Sequence, residues 1–150
     1  MLWVVRGLGG IQLIRVRGVS MLPLLRDGSW AVFRRWAPGD PGPERFEVVR
    51  LEDPARPAAW AVKRVIGLPG EAIELRDGRL VIDGRRVPEP HALGEDSRAY
   101  DWSPGDGEIV VLGDNRLHST DSRRYGPVPL AAIRGRLLRP RRTSGAVTER

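Results

Sequence analysis

The chain has no cysteine. That removes disulfides, thiol nucleophiles and thiolate-ligated zinc from consideration, and leaves the redox compartment open. Histidine is nearly as scarce, with only His91 and His118, so a metal site would have to rest on clustered carboxylates, and the sequence contains no such cluster. No metal and no cofactor are expected. No stretch approaches the roughly 20 apolar residues that span a bilayer. Residues 1–14 come nearest, but Arg6, Gln12 and three glycines interrupt them and no small-residue cleavage pattern follows, so the chain reads as soluble. A long amphipathic helix and an internal repeat are also missing. Lysine is reduced to one residue, Lys63, against 24 arginines.

What is present is a 150-residue chain of net charge +6, long enough to bury a core as one domain. We read a single catalytic domain over 1–142 and a disordered tail over 143–150. The densest basic run is Arg134, Arg136, Arg139, Arg141 and Arg142. A positive surface favours anionic lipid and phosphate in a general way, but without a helix-turn-helix or interleaved aromatics nucleic acid is not an expected partner.

The hydrophobic pattern is that of short strands. Residues 11–17, 29–36, 46–51, 60–66, 72–76, 79–83, 85–87, 108–112 and 135–138 alternate or form brief β-branched runs bounded by Gly, Pro and Asp. Asp77-Gly78 supplies the positive φ angles of a tight hairpin. The Pro/Gly-rich stretch 37–43 is a loop, and 88–106 is the least ordered-looking part. The expected fold is mainly β, a coiled or barrel-like antiparallel sheet with long loops and little helix.

Lys63 lies inside the apolar run Trp60-Ala61-Val62-Lys63-Arg64-Val65-Ile66. An arginine keeps its proton in a protein, whereas a lysine taken out of water can release it near neutral pH and act as a base. Taken alone, a lysine in a strand is most often a snorkelling or ion-paired surface group. Ser20, in Val19-Ser20-Met21-Leu22-Pro23, stands at the start of a tight or single helical turn, where backbone N–H groups are unpaired. A serine hydroxyl needs a neighbouring base to attack an amide. His118 with Asp121 in a polar loop is a poor candidate for that base.

Three segments in order resemble the type I signal peptidase family, the S26 Ser/Lys endopeptidases. Ser20-Met21-Leu22-Pro23-Leu24-Leu25 resembles the nucleophile box, and Lys63 to Glu71 is similar to the lysine box over nine consecutive positions. Gly113-Asp114-Asn115-Arg116-Leu117-His118-Ser119-Thr120-Asp121-Ser122-Arg123, followed by Tyr125-Gly126, resembles the third.

The resemblance implies a sheet fold of the signal-peptidase type, Ser20 as nucleophile and Lys63 as general base. It implies further that Ser119 orients the lysine, with Asp121 and Arg123 supporting it. Asp114 and Asn115 read as turn formers. Gly18 occupies the position where many relatives carry a serine that donates to the oxyanion, so a second donor besides the Ser20 N–H is absent or comes from backbone. Val16, Met21, Leu25, Ala61 and Val62 are the implied walls of the pocket for a small residue before the cut, although Met21 and Leu25 equally suit a core.

Larger relatives carry an accessory β-domain, expected here to be reduced to the hairpin at 72–83. The implied substrate is a signal- or leader-peptide-bearing protein, cleaved by a monomer at the outer face of the plasma membrane. Relatives also place membrane helices before the nucleophile, whereas 19 residues precede Ser20 here. A misplaced start, a soluble maturation protease of the same clan and cytoplasmic location, and a tethering partner all fit. Peripheral contact with anionic lipid through Met1 to Val5 is a further expectation, with a core-packed strand as its alternative. Two other classes are disfavoured. A self-cleaving repressor needs a DNA-binding module, and a non-catalytic basic binding module gives no reason to keep both Ser20 and Lys63.

Overall fold

The computed structural model describes residues 3–6 and 8–138, so the expected tail at 143–150 lies outside the described residues. The described residues form twelve strands, all paired antiparallel and most of them β-branched or alternating. They are β1 (Trp3–Arg6), β2 (Ile11–Arg15), β3 (Trp30–Arg35), β4 (Val48–Glu52), β5 (Trp60–Gly67), β6 (Ile73–Arg76), β7 (Arg79–Ile82), β8 (Arg85–Val87), β9 (Tyr100–Trp102), β10 (Glu108–Leu112), β11 (Val128–Pro129) and β12 (Ile133–Leu137). A four-residue helix, α1 (Ser122–Tyr125), is the one α-helix among the described residues, and a 3₁₀ turn at Leu130–Ala132 leads into β12. The fold is mainly β with little helix, as expected.

Eight strands make one sheet in the order β1-β2-β3-β12-β4-β5-β10-β11. This sheet is curled into a half-barrel, and its packing gives the reason. Ile14 and Val16 at the β2 side share one buried cluster with Val62 of β5, four strands along the sheet, together with Phe33, Met21 and Leu25. Only a strongly coiled sheet lets such distant strands close on one core. The opposite face of β5 packs Ala61 and Val65 with Val49, Leu51, Ile109 and Val111.

The second sheet, β8-β7-β6-β9, leans its Ile73, Leu75, Leu80 and Ile82 on Ile66, Val110 and Leu112 of the first. The expected hairpin forms around Asp77-Gly78 at its centre, with φ of 48° and 70° at those residues. The sheet also recruits Tyr100–Trp102 from the stretch read as least ordered. That strand is set by pairing with β6, Ile73 opposite Trp102, rather than by its own pattern. Trp102 Nε1 donates to Ser122 O at 3.1 Å, tying this sheet to α1. At the other end, Trp3–Arg6 within the apolar start is an edge strand on β2.

Candidate active site

The turn that carries Ser20 grows from the end of β2. Val16 still belongs to the sheet, donating to Ser29 O and accepting from Gly28 N, both at 2.8 Å. The chain then leaves the sheet at Gly18, whose φ of +87° favours glycine. The Gly18 N–H is taken by Asp27 Oδ1 at 2.8 Å. Two further bonds, Leu22 N to Val19 O and Leu25 N to Met21 O, close the turn. Met21 and Leu25 anchor it in the core beneath. Ser20 stands at the start of this turn with its backbone N–H uncommitted to any acceptor among the described residues.

Lys63 comes from β5. Strand β4 pairs along this strand from Trp60 to Arg64, but β10 joins its other edge only from Arg64 onward. Residues 60–63 therefore have one edge without a strand partner among the described residues, and that edge borders the cleft. Lys63 is 5% exposed, and its Nζ lies 2.9 Å from Ser20 Oγ. Among the described residues no carboxylate reaches ion-pair distance of it. Burial pushes its pKa below the ordinary lysine value; Arg56 and Arg123 push the same way, while the charges of Asp121 and Asp53 oppose. This is the environment that lets an amine accept a proton.

The segment after β10 locks the two together. Asn115 N donates to Ser20 O at 2.9 Å and Asn115 Nδ2 to Val19 O at 3.1 Å, so this residue clamps the Ser20 turn through two successive carbonyls. A Cβ at Gly113 would fall 2.1 Å from Ser119 Oγ and 2.8 Å from Ser20 O, so only glycine lets Ser119 and the Ser20 turn approach this closely. Gly113 N donates to Asp121 Oδ2 at 2.9 Å. Arg123 grips Asp121 with Nε and Nη2, both at 2.9 Å, and its Nη1 reaches Asp96 and Arg116 O. Burial works to raise the Asp121 pKa, but the Arg123 contacts and the Gly113 N–H win and hold it below the usual carboxylate range. Asp121 also caps α1 by accepting from Arg123 N.

A cleft of about 750 Å³ opens over Ser20 and Lys63. Of the residues read as pocket walls, Val16, Met21, Ala61 and Val62 line it, and Gly18 and Ser119, read for other roles, line it too. Leu25 does not: it is 8% exposed and packs in the core under the turn. Asp121 and Arg123 sit behind the wall, not in it. The Ser119 Oγ is buried without a hydrogen-bond partner among the described residues, so the implied bond to the lysine is not formed in this structure. His118 is exposed at the rim, and no hydrogen bond links its side chain to Ser20 or Asp121. Among the described residues no three His, Asp or Glu are grouped to hold a metal ion.

Sequence reasoning took Asn115 and Asp114 for turn formers. Asn115 is the clamp just described, and Asp114 binds Arg64 through two contacts of 2.7 and 2.6 Å. The one signal for the latter was a second basic residue inside the buried Lys63 strand.

The chain matches the family described as signal peptidase, peptidase S26, over residues 2–140. It is 33% identical over 129 residues to signal peptidase I V of Bacillus subtilis (strain 168), an alignment covering 76% of each chain. It is 35% identical over 138 residues to signal peptidase I of Bacillus caldolyticus, covering 81% of this chain and 74% of the relative. A solved signal peptidase I from Enterococcus faecalis V583 superposes with a TM-score of 0.57 at 31% identity, covering 64% of this chain and 97% of that one. With its half-barrel sheet and this relationship along most of its length, the chain belongs to the signal peptidase family S26 and is a serine peptidase of that family.

Proposed function

We propose that this chain is an endopeptidase that removes signal or leader peptides after small residues, using Ser20 as nucleophile and Lys63 as general base. The observation that carries the reading is the 2.9 Å contact between a nearly inaccessible lysine amine and a serine hydroxyl at the floor of an open cleft. Ser20 Oγ attacks the scissile carbonyl while neutral Lys63 Nζ takes its proton. The developing oxyanion is met by the Ser20 N–H; Gly18 contributes no side-chain donor. Lys63 then protonates the departing amine, leaving an acyl-enzyme, and afterwards takes a proton from the water that hydrolyses the ester. Asn115 fixes the attacking turn, and the Asp121–Arg123 pair fixes the segment carrying Ser119.

An extended substrate fits along the bare edge of residues 60–63, its backbone replacing the missing strand. Met21, Ala61 and Val62 leave room for a small side chain before the cut. Cleavage of a peptide carrying an Ala-x-Ala site, in detergent or lipid, tests the reading. Scission after the second alanine that is abolished in Ser20→Ala is expected. Equal cleavage by that variant would sink the proposal.

We further place the enzyme at the outer face of the plasma membrane in peripheral contact with anionic lipid. On the outward faces of β2 and β3, Ile11, Leu13, Trp30 and Val32 are each at least 37% exposed. They are interleaved with Arg34 and Arg15, opposite Ile11 and Trp30. Apolar side chains rimmed by cations suit an anionic interface. No helix among the described residues is long and apolar enough to cross a membrane. Co-sedimentation with anionic vesicles, lost in Trp30→Ser/Val32→Ser, is the expected result; equal sedimentation of both proteins would remove this contact.

A further inference from the structure

Three arginines from three separate elements line the cleft over Ser20 and Lys63: Arg17 before the nucleophile turn, Arg56 in the loop between β4 and β5, and Arg124 in α1. They are not equivalent. Arg56 Nε lies 3.1 Å from Asp53 Oδ2, and Asp53 is the one carboxylate residue among those lining the cleft. That pair cancels. Arg17 and Arg124 are exposed, and neither guanidinium has a hydrogen-bond or ion-pair partner among the described residues. Arg124 also lines the adjoining depression of about 590 Å³, which shares Leu117, Ser119 and Thr120 with the cleft. There the neighbouring Arg98, Arg116 and Arg123 are already paired with Asp96, Glu89 and Asp121. The cleft wall thus carries two uncompensated cations, one beside the nucleophile turn and one at the passage into the second depression, and no uncompensated anion.

A concave wall with charge of one sign focuses the field on whatever occupies it. The planar fork of a guanidinium matches a carboxylate in particular. We propose that Arg17 and Arg124 are specificity-determining residues, favouring peptide substrates with Asp or Glu flanking the scissile bond and disfavouring those with Lys or Arg there. The proposal rests on the reading of this cleft as the peptidase site. It adds a preference that the small apolar walls around Ala61 and Val62 cannot supply, since they act on the size of one residue and not on charge.

The test is a set of Ala-x-Ala peptides in which Asp, Asn or Lys is walked through the positions on either side of the cut. For each pair the ratio of kcat/KM, Asp over Lys, is taken within one enzyme preparation, so that a lowered folded fraction cancels. At low ionic strength the intact protein should show a ratio of about five to tenfold at one or more positions, as one or two exposed ion pairs allow. The ratio should fall toward one in high salt. Arg17→Gln and Arg124→Gln should each lower it, and Arg124→Glu should invert it at the position nearest that residue.

Binding of the same peptides to Ser20→Ala, followed by fluorescence anisotropy, reads the same preference in Kd without any turnover. The charge preference can therefore be judged even if the catalytic reading fails. A ratio of one in the intact protein overturns the proposal, as does a ratio that survives both neutral substitutions. Loss of anionic-vesicle binding in these variants, with the peptide ratio unchanged, would assign the two arginines to lipid headgroups and overturn it equally.

Discussion

Strand β5 buries two adjacent cations, one on each face. Arg64 is 3% exposed, and it is surrounded by acceptors: Asp114 Oδ1 and Oδ2 at 2.7 and 2.6 Å, and Phe46 O at 2.8 Å. Lys63 is 5% exposed and is given a serine hydroxyl. The same strand, at the same depth, thus neutralises one cation and withholds a counter-ion from the other. A buried guanidinium cannot discharge itself and has to be paired, whereas an amine left without a partner can lose its proton instead. The Arg64 side is a fastening between β5 and the segment after β10. The Lys63 side leaves an amine with no carboxylate at ion-pair distance among the described residues, on the stretch of β5 that β10 does not pair.

The comparison breaks most visibly if the two cations are made alike. In Lys63→Arg the group facing Ser20 can no longer accept a proton, and peptide cleavage should fall by about three orders of magnitude or more. Lys63→Met, which introduces no unpaired charge, should lose the same activity while keeping the thermal transition. Together these variants separate the chemistry from folding. Residual activity in either would mean that Lys63 is not the base.

Next in size is the Arg64 side. Asp114→Asn leaves a buried guanidinium without its anion and should cost about 3–5 kcal/mol of stability in urea unfolding. The double change Arg64→Met/Asp114→Leu, which removes both charges, should recover most of that loss. If the single substitution costs no more than a surface change, the pair is not the fastening described here.

The contrast between these neighbours also marks what could be read in advance. Lys63 stood out because it is the one lysine of an arginine-rich chain inside an apolar strand, and Asp77-Gly78 between two short alternating runs gave the hairpin. Arg64 carried no such mark, because its partner lies 50 residues on. Asn115 bonds to Val19 across 96 residues, a distance at which a loop asparagine looks like any turn former. Tyr100–Trp102 is too short to show an alternation and becomes a strand only because β6 offers an edge. Leu25 could be core or wall by type, and the tight turn decides for core. Local chemistry was legible; pairings set by the curl of the sheet were not.

A smaller effect is expected at the contact that brings the two faces into register. Gly113→Ala would place a methyl group against Ser119 Oγ and Ser20 O. Overpacking of this kind costs about 1–3 kcal/mol. Because the atoms in the way belong to Ser119 and Ser20, both at the proposed dyad, kcat should fall more than the melting temperature alone predicts. An alanine variant with unchanged kcat would show that the turn has room the structure does not display.

The finest adjustment concerns how far Lys63 differs from Arg64. Its pKa is lowered chiefly by burial, and Asp121 and Asp53 pull it back up. Only the neutral amine can take the proton of Ser20, so kcat/KM should rise with pH through the pKa of Lys63 in the free enzyme. Asp53 lines the cleft, and its Oδ1 accepts from Ala55 N at 2.9 Å, an interaction that an asparagine Oδ1 keeps. Asp53→Asn therefore removes an anion while preserving that loop bond. The protonated form of Lys63 loses a stabilising charge, its pKa falls further, and the acidic limb of the profile should move to lower pH. Arg56→Gln removes a cation that acts in the opposite sense and should move the limb to higher pH. A purely structural role for the loop would change the melting temperature and leave both limbs in place. Limbs that stay put, or that move together, would show that Lys63 is tuned by burial alone.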